Sequence, residues 1–297
     1  MTFREGSSFE GGRVRTRRGG KGGAAAGGGI GLAIVAFLIY QFTGVDVSSG
    51  LASLQQVSGG GSGGGQVGEL AECSASDANS NRECRLSATL YTLDAFWTDL
   101  SDEEGIAFEI PDAESFEGGT STGCGAASSD VGPFYCPADQ TIYLDVSFFD
   151  ELRSRFGAQG GPFAEMYVIA HEYGHHMQHL LGTMERINRT DTGADSDGVR
   201  LELQADCYAG MWAHDAATRV DPDTGQTFLE PLTDEDLAQA LSAAQAIGDD
   251  HIQEEFGGGV NPDTWTHGSS EQRQAWFTTG WNKGTLAACD TFATDDL

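Results

Sequence analysis

Lysine is almost absent from this 297-residue chain: Lys21 and Lys283 are the only two, and 16 basic side chains face 45 acidic ones for a formal net charge of −29. Sequence-independent binding to a phosphate backbone needs clustered lysine and arginine, so nucleic acid is excluded as a partner. No Cys-x-x-Cys pair occurs among the six cysteines, which removes the spacing of a zinc ribbon and of a thioredoxin-like redox site. Ser128 and Ser129 lack the G-x-S-x-G elbow of a serine hydrolase, and no glycine-rich phosphate loop adjoins a lysine. Internal repeats are missing too.

What is present is unevenly placed. Residues 1–23 carry six basic groups (Arg4, Arg13, Arg15, Arg17, Arg18, Lys21) and two acidic ones, so the rest, with 10 basic and 43 acidic, stands at −33. An uncharged apolar run follows from Ala24 to Tyr40 and extends less strictly to Val45. As a helix, 17 to 22 residues rise roughly 26 to 33 Å, the thickness of the hydrocarbon core. Arginines before it and an acidic chain after it predict a single-pass anchor in the cell membrane. Residues 1–23 are then a cytoplasmic tip, 24–45 the transmembrane helix, and the remainder extracytoplasmic. The competing reading is a cleaved signal peptide, but the small-x-small site at Gly50-Leu51-Ala52 lies about a dozen residues past the run, farther than cleavage sites usually lie.

An oxidising compartment makes disulfides the default for six cysteines, whereas free buried thiols would suit a cytosolic chain. Fifteen connectivities are possible. Joining sequence neighbours gives Cys73 with Cys84 and Cys124 with Cys136, leaving Cys207 with Cys289.

Residues 46–66 are rich in glycine and serine and read as a flexible tether. The folded domain is expected from 67 to 290, with a tail at 291–297. Leu86 to Leu100 has helical spacing. Ile106 to Ile110, Pro133 to Cys136 and Thr141 to Asp145 read as strands. Helices follow at Ser147 to Phe156, Phe163 to Leu181, Gly198 to Ala217, Thr233 to Phe256 and Ser269 to Trp281. Thr233 with Asp236, and Ser269 with Gln272, have the spacing of N-terminal capping boxes. A helix, a small sheet and a helix-rich remainder suggest one α+β domain.

The strongest chemical signal is His171-Glu172-Tyr173-Gly174-His175, an H-E-x-x-H pattern. Side chains four apart on a helix lie on one face, so both imidazoles can reach one ion with Glu172 at its flank. A catalytic zinc needs a third protein ligand and an open position for water. His179 is excluded, because three imidazoles over eight positions span roughly 12 Å of helix. His176 points about 100° away from His175. Glu202, in Glu202-Leu-Gln-Ala-Asp206, is the better candidate, with Asp206 one turn on to accept the free N–H of a ligating imidazole. The plain alternative is an exposed acidic face. Asp191, Asp195 and Asp197 lack the spacing of an EF-hand loop and read as a solvated connector.

The chain resembles the bacterial family of membrane-anchored neutral zinc metallopeptidases. The similarity is carried by the basic tip, apolar run and tether; by Gly123-Cys-Gly125, Gly132-Pro-Phe-Tyr-Cys-Pro137 and Ala170-His-Glu-Tyr-Gly-His-His176; and by Leu201-Glu-Leu-Gln-Ala-Asp-Cys207, Ile247-Gly-Asp-Asp250 and His267-Gly-Ser-Ser270 with Arg273, Trp276 and Phe277. The resemblance implies a zincin-like domain of the gluzincin type holding one Zn2+, with His171, His175 and Glu202 as ligands and Glu172 as general base. It also suggests that Thr141 to Asp145 is an edge strand that pairs with extended substrate. His267, just before a capped helix, is the nominee for oxyanion stabiliser, with Arg273 as the weaker choice. A helix-entry cap and a salt bridge are their bland alternatives.

The expected activity is hydrolysis of a peptide or protein substrate by a membrane-tethered enzyme. A catalytically silent, metal-stabilised binding module and a zinc amidase acting on cell-wall peptides are the competing functions.

Overall fold

Side-chain caps start four of the longer helices, though not the one that carries the H-E-x-x-H pattern. Asn81, Ser196, Thr233 and Ser269 each accept a backbone N–H three residues on, and the last two form the expected capping boxes. The computed structural model describes residues 3–18, 66–188, 190–221, 224–256 and 259–297. Its helices are α1 (Ala75–Ser80), α2 (Arg82–Glu104), α3 (Phe148–Ser154), α4 (Pro162–Leu180), α5 (Asp197–Ala216), α6 (Asp234–Ala246), α7 (Asp249–Phe256) and α8 (Ser270–Lys283). Its strands are β1 (Ser8–Phe9), β2 (Arg15–Arg18), β3 (Gln66–Glu69), β4 (Cys73–Ser74), β5 (Asp112–Phe116), β6 (Gly119–Thr122), β7 (Gly125–Ser128), β8 (Phe134–Cys136) and β9 (Thr141–Asp145). The fold is mixed α+β.

One five-stranded sheet has the order β3-β2-β5-β9-β8; β2, β5 and β9 are parallel and the two outer strands antiparallel. β9, expected at an edge, therefore lies between β5 and β8, and the edge is β8. The expected strand Ile106 to Ile110 is not one. The strand starts after Pro111, and the Glu109 carbonyl is taken by His176 Nε2 at 2.6 Å. The expected helix from Thr233 to Phe256 breaks at Ile247-Gly248 into α6 and α7.

The N-terminal residues correct the expected domain boundary. Phe3, Phe9 and Val14 are buried, and β2 is hydrogen-bonded on both sides, to β3 and to β5. The arginines read as a cytoplasmic tip pair with carboxylates of the domain: Arg13 with Asp94 at 2.7 Å, Arg17 with Glu114 at 2.8 Å and Arg4 with Glu230 at 3.0 Å. Arg18 is the register partner of Gln66. Paired residues sit about 5 Å apart, whereas the two ends of a single membrane crossing are about 30 Å apart. Residues 3–18 thus pack as part of the folded domain. The run at 24–45 and nearly all of the tether lie outside the described residues, among which no helix is long and apolar enough to cross a membrane.

Every residue of α4 from Phe163 to Gln178 is buried, and α4 packs on α2, α5, α6 and β8. A helix buried on all sides is the centre of the domain rather than its surface. Glycine sets how closely its neighbours approach. A Cβ on Gly174 would lie 3.1 Å from Ala205 Cα, and one on Gly280 of α8 would lie 1.9 Å from the Cys207 carbonyl oxygen of α5. Disulfides join Cys73 to Cys84, Cys124 to Cys136 and Cys207 to Cys289, the pairing of sequence neighbours.

Candidate metal centre

His171 and His175 leave one face of α4, and the close α4–α5 approach at Gly174 brings Glu202 of α5 opposite them. His171 Nε2 is 3.2 Å from Glu202 Oε2, and His175 Nε2 is 3.5 Å from Glu202 Oε1. Among the described residues, these three form the one group whose donor atoms all lie within 4.8 Å of one another. All three are buried.

The opposite ring nitrogens are held from behind. His171 Nδ1 donates to Asp206 Oδ1 at 2.8 Å, and His175 Nδ1 donates to Gln178 Oε1 at 2.8 Å. Gln178 is itself oriented, since its Nε2 donates to the Leu201 carbonyl and to Gln204 Oε1. Each Nε2 lone pair is thereby aimed at the shared position, as metal-ligating histidines require. Asp206 also accepts from Tyr167 Oη, and Arg273 grips it twice, Nε at 2.8 Å and Nη2 at 3.0 Å.

The electrostatics follow from burial among charges. Burial opposes the charge on His171, yet Asp206 and then Glu202 outweigh it and push the imidazole up to about 10. Burial also opposes the charge on Glu202, but His175 and His171 hold its carboxylate well below the usual range. This donor set calls for a cation between its members. For Glu172 burial dominates and raises the carboxyl, against the pull of His175, His171 and the Tyr135 backbone N–H. That N–H comes from the edge strand β8.

His267 lines the same cavity as the three candidate ligands. Its Nδ1 lies 3.2 Å from Asp249 Oδ1, while Asp249 Oδ2 accepts the backbone N–H groups of Thr266, His267 and Gly268. The break between α6 and α7 puts Asp249 there. Arg273, the weaker oxyanion nominee, is committed elsewhere: its donors go to Asp206, the Ile247 carbonyl and Tyr167. His176 is kept neutral by burial at about 4 and bridges the Glu109 carbonyl and Tyr135 Oη. His179 pairs with Glu185.

Sequence reasoning missed Gln178, Asp249 and Tyr167. Gln178 and Tyr167 lie three and four residues from candidate ligands on the same helix, a spacing that could have named them. Nothing local to Asp249 marks its partner 18 residues away.

The family described as "Putative neutral zinc metallopeptidase" matches residues 2–292. The chain belongs to that family. As a member of the neutral zinc metallopeptidase family, it is 51% identical over 230 residues to an uncharacterised protein of Mycobacterium tuberculosis H37Rv, covering 77% of each chain. It is 44% identical over 211 residues to the uncharacterised protein YpfJ of Escherichia coli K12, covering 69% of this chain and 70% of that one. No solved structure matches it. Zinc bonded tetrahedrally to nitrogen and oxygen at 2.0–2.2 Å needs donors roughly 3.3 Å apart. The separations of 3.2 and 3.5 Å in this family member fit that requirement.

Proposed function

We propose that the protein is a zinc endopeptidase of the zincin class, with His171, His175 and Glu202 as ligands, Glu172 as general base and His267 as oxyanion donor. The observation that carries this reading is the meeting of three candidate ligands with a separate, buried carboxylate, Glu172, in the lining of one cleft. A purely structural metal site has no use for that fourth group.

When bound, zinc supplies a Lewis acid that activates water near neutral pH and polarises a carbonyl. The raised Glu172 carboxyl suits a base that takes a proton from water and hands it to the leaving amine. Asp249 raises the His267 imidazole against burial, which favours the protonated ring that an oxyanion donor needs. Asp206 and Gln178 fix the tautomers of the two ligand histidines.

An extracytoplasmic location is part of the proposal and is supported by six cysteines all joined in disulfides. In this reading residues 3–18 lie on the same side as the domain, and a single membrane crossing by the apolar run at 24–45 is given up. The test compares Glu172→Gln with the full-length wild type. Equal zinc content with cleavage of an unstructured protein substrate abolished is expected; unchanged cleavage removes Glu172 from the reaction and the assignment with it.

A further inference from the structure

Glu172 and His176 are four residues apart on α4, so they face the same way, about one turn from each other. Both take hold of a single residue of the edge strand β8. The Tyr135 backbone N–H is given to the Glu172 carboxylate, and the Tyr135 hydroxyl lies 3.0 Å from His176 Nδ1. Strand and helix are thus joined at two points one turn apart.

The direction of the second bond is fixed. His176 Nε2 faces the Glu109 carbonyl at 2.6 Å, and a carbonyl only accepts, so Nε2 carries the ring proton. The neutral ring leaves Nδ1 as an acceptor, and Tyr135 Oη donates to it. His176 is fully buried, and the rings of Phe108, Tyr135 and Tyr173 meet it edge to face. Apolar groups of the same shape can replace a buried hydrogen-bonded pair at little cost in stability. The pair formed by His176 and Tyr135 therefore contributes direction more than stability. It fixes where β8 carries the Tyr135 N–H, and with it the facing of the Glu172 carboxylate.

We infer that His176 is a positioning residue: through Tyr135 it holds the Glu172 carboxylate toward the cavity that the three candidate ligands line. The inference rests on the peptidase reading and adds to it a side chain that touches neither metal nor substrate. A displacement of about 1 Å in a reacting group can cost on the order of 100-fold in rate.

The test uses the full chain, the variants Tyr135→Phe and His176→Phe, and their combination. With zinc loaded, each single variant should lower kcat about 10- to 100-fold at unchanged zinc content and nearly unchanged KM. The double variant should lose no more than the worse single one, because the two side chains act as a unit. Tyr135→Phe, which keeps its ring, carries this arm alone where His176→Phe does not fold. A second readout needs no turnover. In the zinc-free chain labelled with nitrogen-15 at tyrosine, the Tyr135 amide peak is the one that Tyr135→Phe removes. Its proton should lie downfield in wild type and move upfield in Glu172→Gln and, by a similar amount, in His176→Phe. Wild-type kcat in folded, zinc-loaded variants overturns the inference and leaves the peptidase reading standing. Loss of zinc in step with loss of rate overturns it as well, since His176 would then act on the metal site. An unmoved Tyr135 peak in His176→Phe overturns it even where kcat falls. No cleavage by wild type, with the peak moving as described, overturns the peptidase reading and leaves the hold of His176 on Tyr135 and Glu172.

Discussion

His171 Nδ1 lies 2.8 Å from Asp206 Oδ1, and that carboxylate is gripped from its other side by a guanidinium, Arg273. Ligand, carboxylate and arginine form one buried line. Replacing Asp206 by Asn keeps the shape and removes the charge that makes the imidazole a better ligand. Asp206→Asn should lower zinc affinity about 10- to 100-fold, read by competition with a chromogenic chelator. Wild-type affinity in a folded variant would remove the carboxylate from metal binding.

The same line makes a stability prediction. Arg273 is 1% exposed and Asp206 0% exposed, so Arg273→Met strands a carboxylate without its cation. The expected loss is about 3–5 kcal/mol in urea unfolding at matched zinc content. Arg273→Met with Asp206→Asn should recover part of that loss, because the pair is coupled. Strict additivity would show that the two side chains act independently.

How far the site was legible depends on how local each relation is. The two histidines, Glu172 and the spacing of Glu202 to Asp206 are helix-periodic, so sequence reasoning placed them without tertiary knowledge. Asp249 and His267 meet only because a helix breaks at Gly248, and no pattern around either residue encodes that meeting. Ile106 to Ile110 has the composition of a strand, but Pro111 and the claim of His176 on the Glu109 carbonyl move the pairing to Asp112–Phe116. The basic tip misled for an electrostatic reason. Arginines that precede an apolar run look the same whether they face anionic lipid or, like Arg13 and Arg17, complete ion pairs within the folded domain. Arg13 even reaches the metal helix, since Asp94 receives both its guanidinium and the Tyr173 hydroxyl.

Asp249 and His267 give a pH dependence. Burial opposes both charges, but His267 and the backbone N–H groups lower Asp249, and Asp249 with Glu202 raises His267 against Arg273. A lowered carboxyl adds stability above its unfolded value of about 3.9 and loses it as pH falls through the folded value. A raised imidazole adds stability in full below about 6.5 and loses it as pH rises through the folded value. Both contributions coexist between roughly pH 4 and 6.5. Asp249→Asn should therefore differ most from wild type in that window, with the gap in urea midpoints narrowing, but not closing, as pH rises through the folded value of His267, since the backbone N–H groups still favour the carboxylate. A difference that stays constant from acid to alkaline pH would show that the carboxylate acts through its shape alone.

Arg18 opposite Gln66 makes membrane topology testable. β2 lies inside the sheet, with β3 on one side and β5 on the other, so removing it across a membrane would leave β3 without a partner in the sheet and one edge of β5 unpaired. Glu10 and Glu271 are both exposed, and each can be changed to Cys in the full-length chain without disturbing the disulfides. In intact cells, a membrane-impermeant maleimide should label both variants or neither, because both positions belong to one folded body. Labelling of Glu271→Cys alone would mean that the N-terminal strand stays inside while the domain goes out. The pairing of β2 with β3 and β5 would then be absent in the cell, because strands about 5 Å apart cannot span a hydrocarbon layer about 30 Å thick.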